Sequence, residues 1–171
     1  MRKLILFSSL LAFLWSPLVA QEAVLTPEFH KSKRDALRAK MPANSVAVLF
    51  SNPVRNRAND VDYVYHPDPN FYYLTGFKEP QAVLVVYKNP QQDEQGQYVD
   101  QLFVQERNPS KEQWNGYRLG VEGAKVLGVD RVLLRSEFIK NQTNFTSFEE
   151  VLIFEFKNDV RDDKTDPYRS E

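Results

Sequence analysis

Two short, almost wholly apolar runs constrain the fold of this chain more than any other feature. They are SVAVLF at Ser45–Phe50 and AVLVVY at residues 82–87, and both are rich in valine. An alternating strand buries one face only, whereas a continuous apolar strand is typical of a sheet that is covered on both faces. Layers of helix on each side of a sheet provide that cover. We therefore predict an α/β fold with a mixed β-sheet and flanking helices.

A hairpin and a short helix are predicted downstream of the first strand. Residues 98–105 return as a strand after a polar turn, so they predict a β-hairpin with residues 82–87. Residues 121–127 lie between two glycines and predict a short helix, because a glycine after the last turn adopts a positive φ easily. Further strands are expected over 131–134 and 151–156.

Two other helical segments are predicted in the first half of the chain. Thr26-Pro27 is typical of a helix start, and the apolar stripe of that helix is expected to contain Phe29, Ala36 and Leu37. His30 is expected to lie on the exposed side of this helix. A single helical turn is predicted just before Gly76, which would close it.

The two ends of the chain differ in composition from the middle. Residues 1–20 have a basic start, an apolar run and a small residue at the end, as in a cleaved signal peptide. This pattern predicts an exported protein, periplasmic or secreted, and a membrane-anchored form is the less favoured alternative. The folded domain is expected over residues 21–160. Residues 161–171 are polar and predict a tail, or a linker to a missing catalytic domain.

Charge and cysteine content exclude several classes of function. The net charge is −1, and removal of two basic residues with the signal peptide makes the remainder more acidic. Nucleic-acid binding needs a concentrated basic face, so it is not expected, and neither is membrane binding after signal removal. The absence of cysteine excludes disulfides, thiolate zinc sites and a cysteine nucleophile.

Four motifs, in the same order and at matching separations, carry a resemblance to a known family. They are PNFYYLTGFKEPQAVLVVY at 69–87, ERNPSKEQWNGYRLGVEGA at 106–124, MPANSVAVLFSNP at 41–53 and LGVDRVLL at 127–134. Together they resemble the N-terminal domain of aminopeptidase P, the Xaa-Pro aminopeptidase family. The resemblance implies the creatinase/aminopeptidase P N-terminal fold. It also implies that manganese is bound in the family's catalytic domain, by two Asp, one His and two Glu, and that this chain binds no cofactor.

The residues themselves offer weak candidates for a metal or hydrolytic site. Asp60, Asp62, His66 and Asp68 lie close in sequence, but their prolines and asparagines are the ordinary makeup of turns. No segment resembles the family's ligand motifs. His30 and His66 are the two histidines, and no serine lies in a strand–turn–helix elbow. We therefore predict no metal-ligating and no catalytic residue in this chain.

A tryptophan in a polar segment is the main candidate for a binding role. Trp114 is expected in an Asn/Gly loop, where it is either packed in the core of its own domain, the favoured interpretation, or offered to a partner. The resemblance implies the second role, because this domain makes subunit contacts in the family and its tryptophan loop approaches a neighbouring active site. Tyr117 and Arg118 would then join Trp114 at a substrate pocket or interface. The aromatic residues within 63–77 are expected to pack on the sheet, with a peptide groove as the alternative.

The sequence predicts a non-catalytic domain of a peptidase. The resemblance implies a parent reaction in which manganese-dependent hydrolysis releases the residue before a proline. This chain is expected to serve assembly and substrate-pocket shaping, with another copy of itself or a homologue that carries the catalytic domain as partner. Peptide substrate would be met only through such a partner. The alternatives are a free-standing secreted peptide-binding or regulatory module, and a truncated gene product.

Overall fold

The computed structural model describes residues 25–140 and 143–153. The predicted signal peptide (1–20), the predicted tail (161–171) and the last residues of the expected strand 151–156 lie outside the described residues. The helices are α1 Pro27–Lys40, α2 Pro69–Thr75, α3 Pro109–Asn115, α4 Gly120–Ala124 and α5 Arg135–Ile139. The strands are β1 Ser45–Phe50, β2 Asn56–Ala58, β3 Val61–Asp62, β4 Val83–Asp93, β5 Gly96–Val104, β6 Arg131–Leu134 and β7 Glu150–Ile153. Two 3-10 turns, Lys125–Leu127 and Phe145–Ser147, complete the elements.

Five of the strands form one mixed sheet, in the order β6-β5-β4-β1-β7. The central pairs β1/β4 and β4/β5 are antiparallel, while the outer pairs β1/β7 and β5/β6 are parallel. The predicted hairpin is confirmed as β4 and β5, in which Val83 pairs with Phe103. The predicted α/β class with a mixed sheet is therefore correct.

The sheet is covered on both faces, as the two apolar runs require. In β1, Ala47 and Leu49 belong to one apolar cluster, and Val46 and Val48 belong to the other. Residues from α1, α2 and α4 complete the first cluster. The second is closed by aromatic side chains from α5 and the turn that follows it: Phe138, Phe145 and Phe148.

The inward face of α1 is polar, which corrects the predicted apolar stripe. His30 and Arg34 are the buried residues of this helix, whereas Ala36 is exposed. Leu37 does pack against the core. The expectation that His30 lies outside is wrong. It fails because His30 and Arg34 occupy the i, i+4 positions of the same inward stripe that continues to Leu37.

The burial of Arg34 is tolerated because each of its three guanidinium nitrogens has a hydrogen-bond partner. Its Nε donates to Asp100 Oδ2 at 2.6 Å, and its terminal nitrogens donate to the carbonyls of Leu74 and Gly128. Asp100 in turn accepts a hydrogen bond from the amide of Asp130. A buried charge is tolerated when it is paired and hydrogen-bonded in this way. The ion pair thus ties α1 to β5, and the other two hydrogen bonds of Arg34 tie α1 to α2 and to the loop before β6.

Glycines end the two short helical segments as predicted. Gly76 ends α2 with a φ of +71°, and its amide donates to the carbonyl of Tyr72. Gly128 ends the 3-10 turn after α4 with a φ of +66°. Both values lie in the left-handed region, which glycine adopts at little cost.

Candidate functional site

The segment that contains the predicted tryptophan begins with a short helix, not with an irregular loop. The side chain of Asn108 caps α3 by accepting from the amide of Lys111 at 3.1 Å, and Pro109 occupies the first helical position. Glu112 lies in the first turn, where a carboxylate is stabilised by the helix dipole. The helix ends at Gly116, which has a φ of +79°. The polar composition of the segment hid these signals of a helix.

A bidentate ion pair and a cation–π contact hold the two ends of this segment together. Arg107 Nε and Nη2 donate to the two carboxylate oxygens of Glu112 at 3.1 and 3.0 Å. The hydrogen bonds from Arg107 hold the pKa of Glu112 below its ordinary value. The Arg107 guanidinium also lies 4.6 Å from the centre of the Tyr117 ring. We call residues 107–119 the tryptophan segment.

Trp114 projects into solvent from the tryptophan segment. Its side chain is 89% exposed, and Tyr117 is 62% exposed. The favoured interpretation from sequence, burial of Trp114 in its own core, is wrong. The physical reason is that α3 has no buried residue and no second apolar position one turn away that could form a stripe with Trp114.

Arg118 lies nearby but makes no close ion pair among the described residues. It is partly buried, and its Nη1 donates weakly to the carbonyl of Tyr117 at 3.5 Å. Burial raises the pKa of the neighbouring Glu79 above its ordinary value, although the hydrogen bond from the Leu119 amide and the positive charge of Arg118 oppose the shift. Trp114, Tyr117 and Arg118 all lie on this segment, and their role at a substrate pocket or interface stays a prediction.

Glu79 belongs to this site and is absent from the sequence-based candidates. Its Oε1 accepts from the amide of Leu119 at 2.7 Å, and its Oε2 is buried without a hydrogen-bond partner among the described residues. Tyr65 Oη donates to the backbone carbonyl of Glu79 at 3.2 Å. A glutamate between Lys78 and Pro80 looks like an ordinary turn residue, so nothing in the local pattern indicates a partner forty positions away.

Two of the four metal candidates have structural roles in the described residues. Asp68 caps α2 by accepting from the amide of Phe71 at 2.8 Å, and Asp62 accepts from the side chain of Asn56. Across residues 25–140 and 143–153, no group of three or more His, Asp or Glu side chains could hold a metal ion. That this chain binds no metal stays a prediction.

The six aromatic residues between positions 63 and 77 differ in burial, and Tyr65 and Tyr72 are half-buried. Phe71 and Phe77 are fully buried, as the packing interpretation predicts. Tyr63 and Tyr73 are exposed, and they lie at different places, on the segment after β3 and on α2. His30, which is buried beneath this region, uses its Nδ1 in a 2.9 Å contact with the carbonyl of Tyr73. It therefore has a structural partner.

Comparisons with known proteins agree with the fold and with the motifs. The family model described as "Aminopeptidase P, N-terminal domain" matches residues 30–152. This chain belongs to that family. In the part of the chain that the structure describes, no helix is both long and apolar enough to cross a bilayer.

The relatives are much longer than the matched region. The Xaa-Pro aminopeptidase of Escherichia coli is 41% identical over 111 residues, which are 64% of this chain and 24% of that protein. Xaa-Pro aminopeptidase 3 of Homo sapiens is 37% identical over 113 residues, 62% of this chain and 22% of that protein. The solved structure of E. coli aminopeptidase P with the inhibitor Pro-Leu superposes with a TM-score of 0.65 at 34% identity, over 75% of this chain and 29% of that chain.

Proposed function

We propose that this chain is a non-catalytic domain of an Xaa-Pro aminopeptidase, which serves subunit assembly and the shaping of the substrate pocket. The observation that carries the proposal is the exposure of Trp114, the most exposed large apolar side chain among the described residues. Tryptophan is enriched among the residues that dominate binding energy at protein interfaces. The proposed partner is a second domain of the same kind, in another copy of this chain or in a homologue that carries a catalytic domain.

The chemistry of the parent reaction is assigned to that partner. The described residues of this chain offer no set of metal ligands; of the acidic candidates, Asp68 caps a helix and Asp62 accepts a hydrogen bond from Asn56. This chain would contribute the indole of Trp114, the phenol of Tyr117 and the guanidinium of Arg118. An aromatic surface beside one positive charge suits a peptide or the rim of a neighbouring pocket.

Sedimentation velocity over a range of protein concentrations tests the assembly role. We expect the wild-type chain to self-associate and the Trp114→Ala variant to do so with a dissociation constant raised about 30-fold or more, the cost of an interface hot spot. Tyr73→Ala is the matched control, because it removes an exposed aromatic ring from α2 and should leave self-association unchanged. Equal self-association of Trp114→Ala and wild type would contradict the proposal.

A further inference from the structure

The tryptophan segment has little apolar attachment to the rest of the domain. α3 has no buried residue, and the contacts of Arg107 with Glu112 and Tyr117 stay inside the segment. Leu119, at the C-terminal end of the segment, is partly buried against the core. Within the described residues, the hydrogen bond that joins this segment to an element earlier in the chain is the one from the Leu119 amide to Glu79 Oε1.

Glu79 is well placed to hold the segment because its own backbone is fixed. Phe77 and Pro80, on either side of it, are buried. The carbonyl of Glu79 accepts from Tyr65 Oη, and the carbonyl of Pro80 accepts from Gln105 Nε2 at 2.8 Å. The carboxylate therefore extends from a rigid turn on the core toward the end of the tryptophan segment.

We propose that Glu79 is the positioning residue of the tryptophan segment: its carboxylate binds the Leu119 amide beside Arg118 and so sets where Trp114 is presented. This inference rests on the proposed role of Trp114. It explains why a glutamate stands here with one oxygen on the amide and the other out of solvent. An apolar residue at this position would leave the Leu119 amide without its acceptor.

The surroundings of Glu79 make the contribution of this residue to stability depend on pH. The buried surroundings raise the pKa of Glu79, the Leu119 amide and Arg118 lower it, and Glu112 raises it. Tyr65, which faces the same turn, has its own pKa raised by burial. Because the pKa of Glu79 in the folded state is above its unfolded value, ionisation of this carboxyl costs stability. That contribution is complete below the unfolded pKa and is lost as the pH rises through the folded pKa.

Amide hydrogen exchange at Leu119 is the direct test. We expect the Leu119 amide to exchange about 10- to 100-fold faster in Glu79→Ala than in wild type, since a hydrogen bond to a charged acceptor is lost. Glu79→Gln keeps an accepting oxygen and should restore most of the protection. Glu122→Ala is the matched control, because Glu122 lies on α4, is exposed and pairs only with Lys125 among the described residues. The Leu119 amide should be unchanged in it.

The position of Trp114 is measured separately with fluorine-labelled tryptophan. The chain has two tryptophans, Trp15 and Trp114, and the Trp114→Phe variant assigns their signals. We expect the Trp114 resonance to shift in Glu79→Ala and to stay near its wild-type position in Glu79→Gln. The chemical shift of the wild-type Leu119 amide should also titrate, with a midpoint above the ordinary pKa of a glutamate, and should not titrate in Glu79→Gln.

Two results would overturn the proposal. One is a hydrogen-exchange rate of the Leu119 amide in Glu79→Ala that lies within about twofold of the wild-type rate. Loss of a hydrogen bond to a charged acceptor should raise this rate by more than about twofold. The other is a wild-type Leu119 amide whose chemical shift does not depend on pH, a test that needs no variant to fold. Neither measurement involves a partner. If Trp114 makes no contact with a partner, the sedimentation experiment shows this, and the Leu119 measurements are not affected by that result.

Discussion

At the scale of single residues, the buried pair of Arg34 and Asp100 is the part of the core most sensitive to substitution. Both side chains are almost fully buried. We expect Arg34→Met to destabilise the fold by about 3–5 kcal/mol, because it leaves the Asp100 carboxylate buried without its partner. Chemical denaturation of both proteins measures this difference.

The double variant Arg34→Met/Asp100→Leu removes both charges. It therefore separates the cost of an unpaired Asp100 carboxylate from the cost of the other hydrogen bonds that Arg34 donates. It should be more stable than Arg34→Met alone, since no unpaired charge remains. It should still fall below wild type, because the carbonyls of Leu74 and Gly128 lose their donor. A double variant less stable than Arg34→Met would contradict this account of the pair.

Tyr87 provides a prediction at alkaline pH. Burial raises the pKa of its phenol from 10.0 to about 12, and its Oη donates to Gln101 Oε1 at 2.7 Å. The neutral phenol is favoured in the folded state, so stability that is complete below pH 10.0 should fall as the pH rises toward about 12. In Tyr87→Phe this part of the pH dependence should vanish. Denaturation midpoints of both proteins are measured across that pH interval. If the midpoint falls with pH equally steeply in wild type and in Tyr87→Phe, the explanation is wrong.

Sequence could predict which residues form the apolar core but not which polar residues join them. The valines of β1 and β4 indicate their burial by composition alone. His30 and Arg34 do not, because their partners lie 43 and 66 positions away. The inward spacing of His30, Arg34 and Leu37 on α1 was the available signal. The prediction for Trp114 failed in the opposite sense, since the general tendency of tryptophan to be buried ignores the lack of an apolar neighbour on α3.

At the scale of elements, the junction between α1 and α2 depends on Gly76. A Cβ atom at this position would lie 2.8 Å from His30 Nε2, and the φ of +71° is unfavourable for any other residue type. We expect Gly76→Ala to destabilise the fold by more than the about 1–2 kcal/mol that a left-handed conformation costs alone. Thermal or chemical denaturation provides the measurement.

The overlap with His30 is isolated by repeating the substitution in a His30→Ala background. The imidazole ring is absent in His30→Ala, so in that background Gly76→Ala should lower the free energy of unfolding only by the cost of the left-handed backbone conformation. A cost equal to that in wild type would show that the His30 contact does not matter. This cycle also measures how strongly α1 and α2 are coupled through one glycine.

Strong periodicity and turn chemistry made most elements predictable. The hairpin of β4 and β5 and the glycine ends at Gly76 and Gly128 follow directly from composition. α3 was missed because Trp114 and its Asn and Gly neighbours suggested a loop, although Asn108, Pro109 and Glu112 form a good helix start. Its polar surface gave no periodicity, and capping alone is easily overlooked.

At the scale of the whole molecule, the matched region spans less than a third of the length of the E. coli and human Xaa-Pro aminopeptidases. The order of its motifs was enough to predict the family, while apolar strands alternating with helices predicted the mixed sheet. The contact of Glu79 with the Leu119 amide could not be predicted in the same way, because the two residues are forty positions apart in sequence.

The proposed absence of catalytic groups is tested most directly by assaying the purified chain on an Xaa-Pro peptide. The assay is run with and without added manganese, beside the E. coli Xaa-Pro aminopeptidase as a positive control. We expect the chain to release no N-terminal residue above the buffer blank in either condition, while the control enzyme does. Proline-specific release that follows the chain through purification would contradict it.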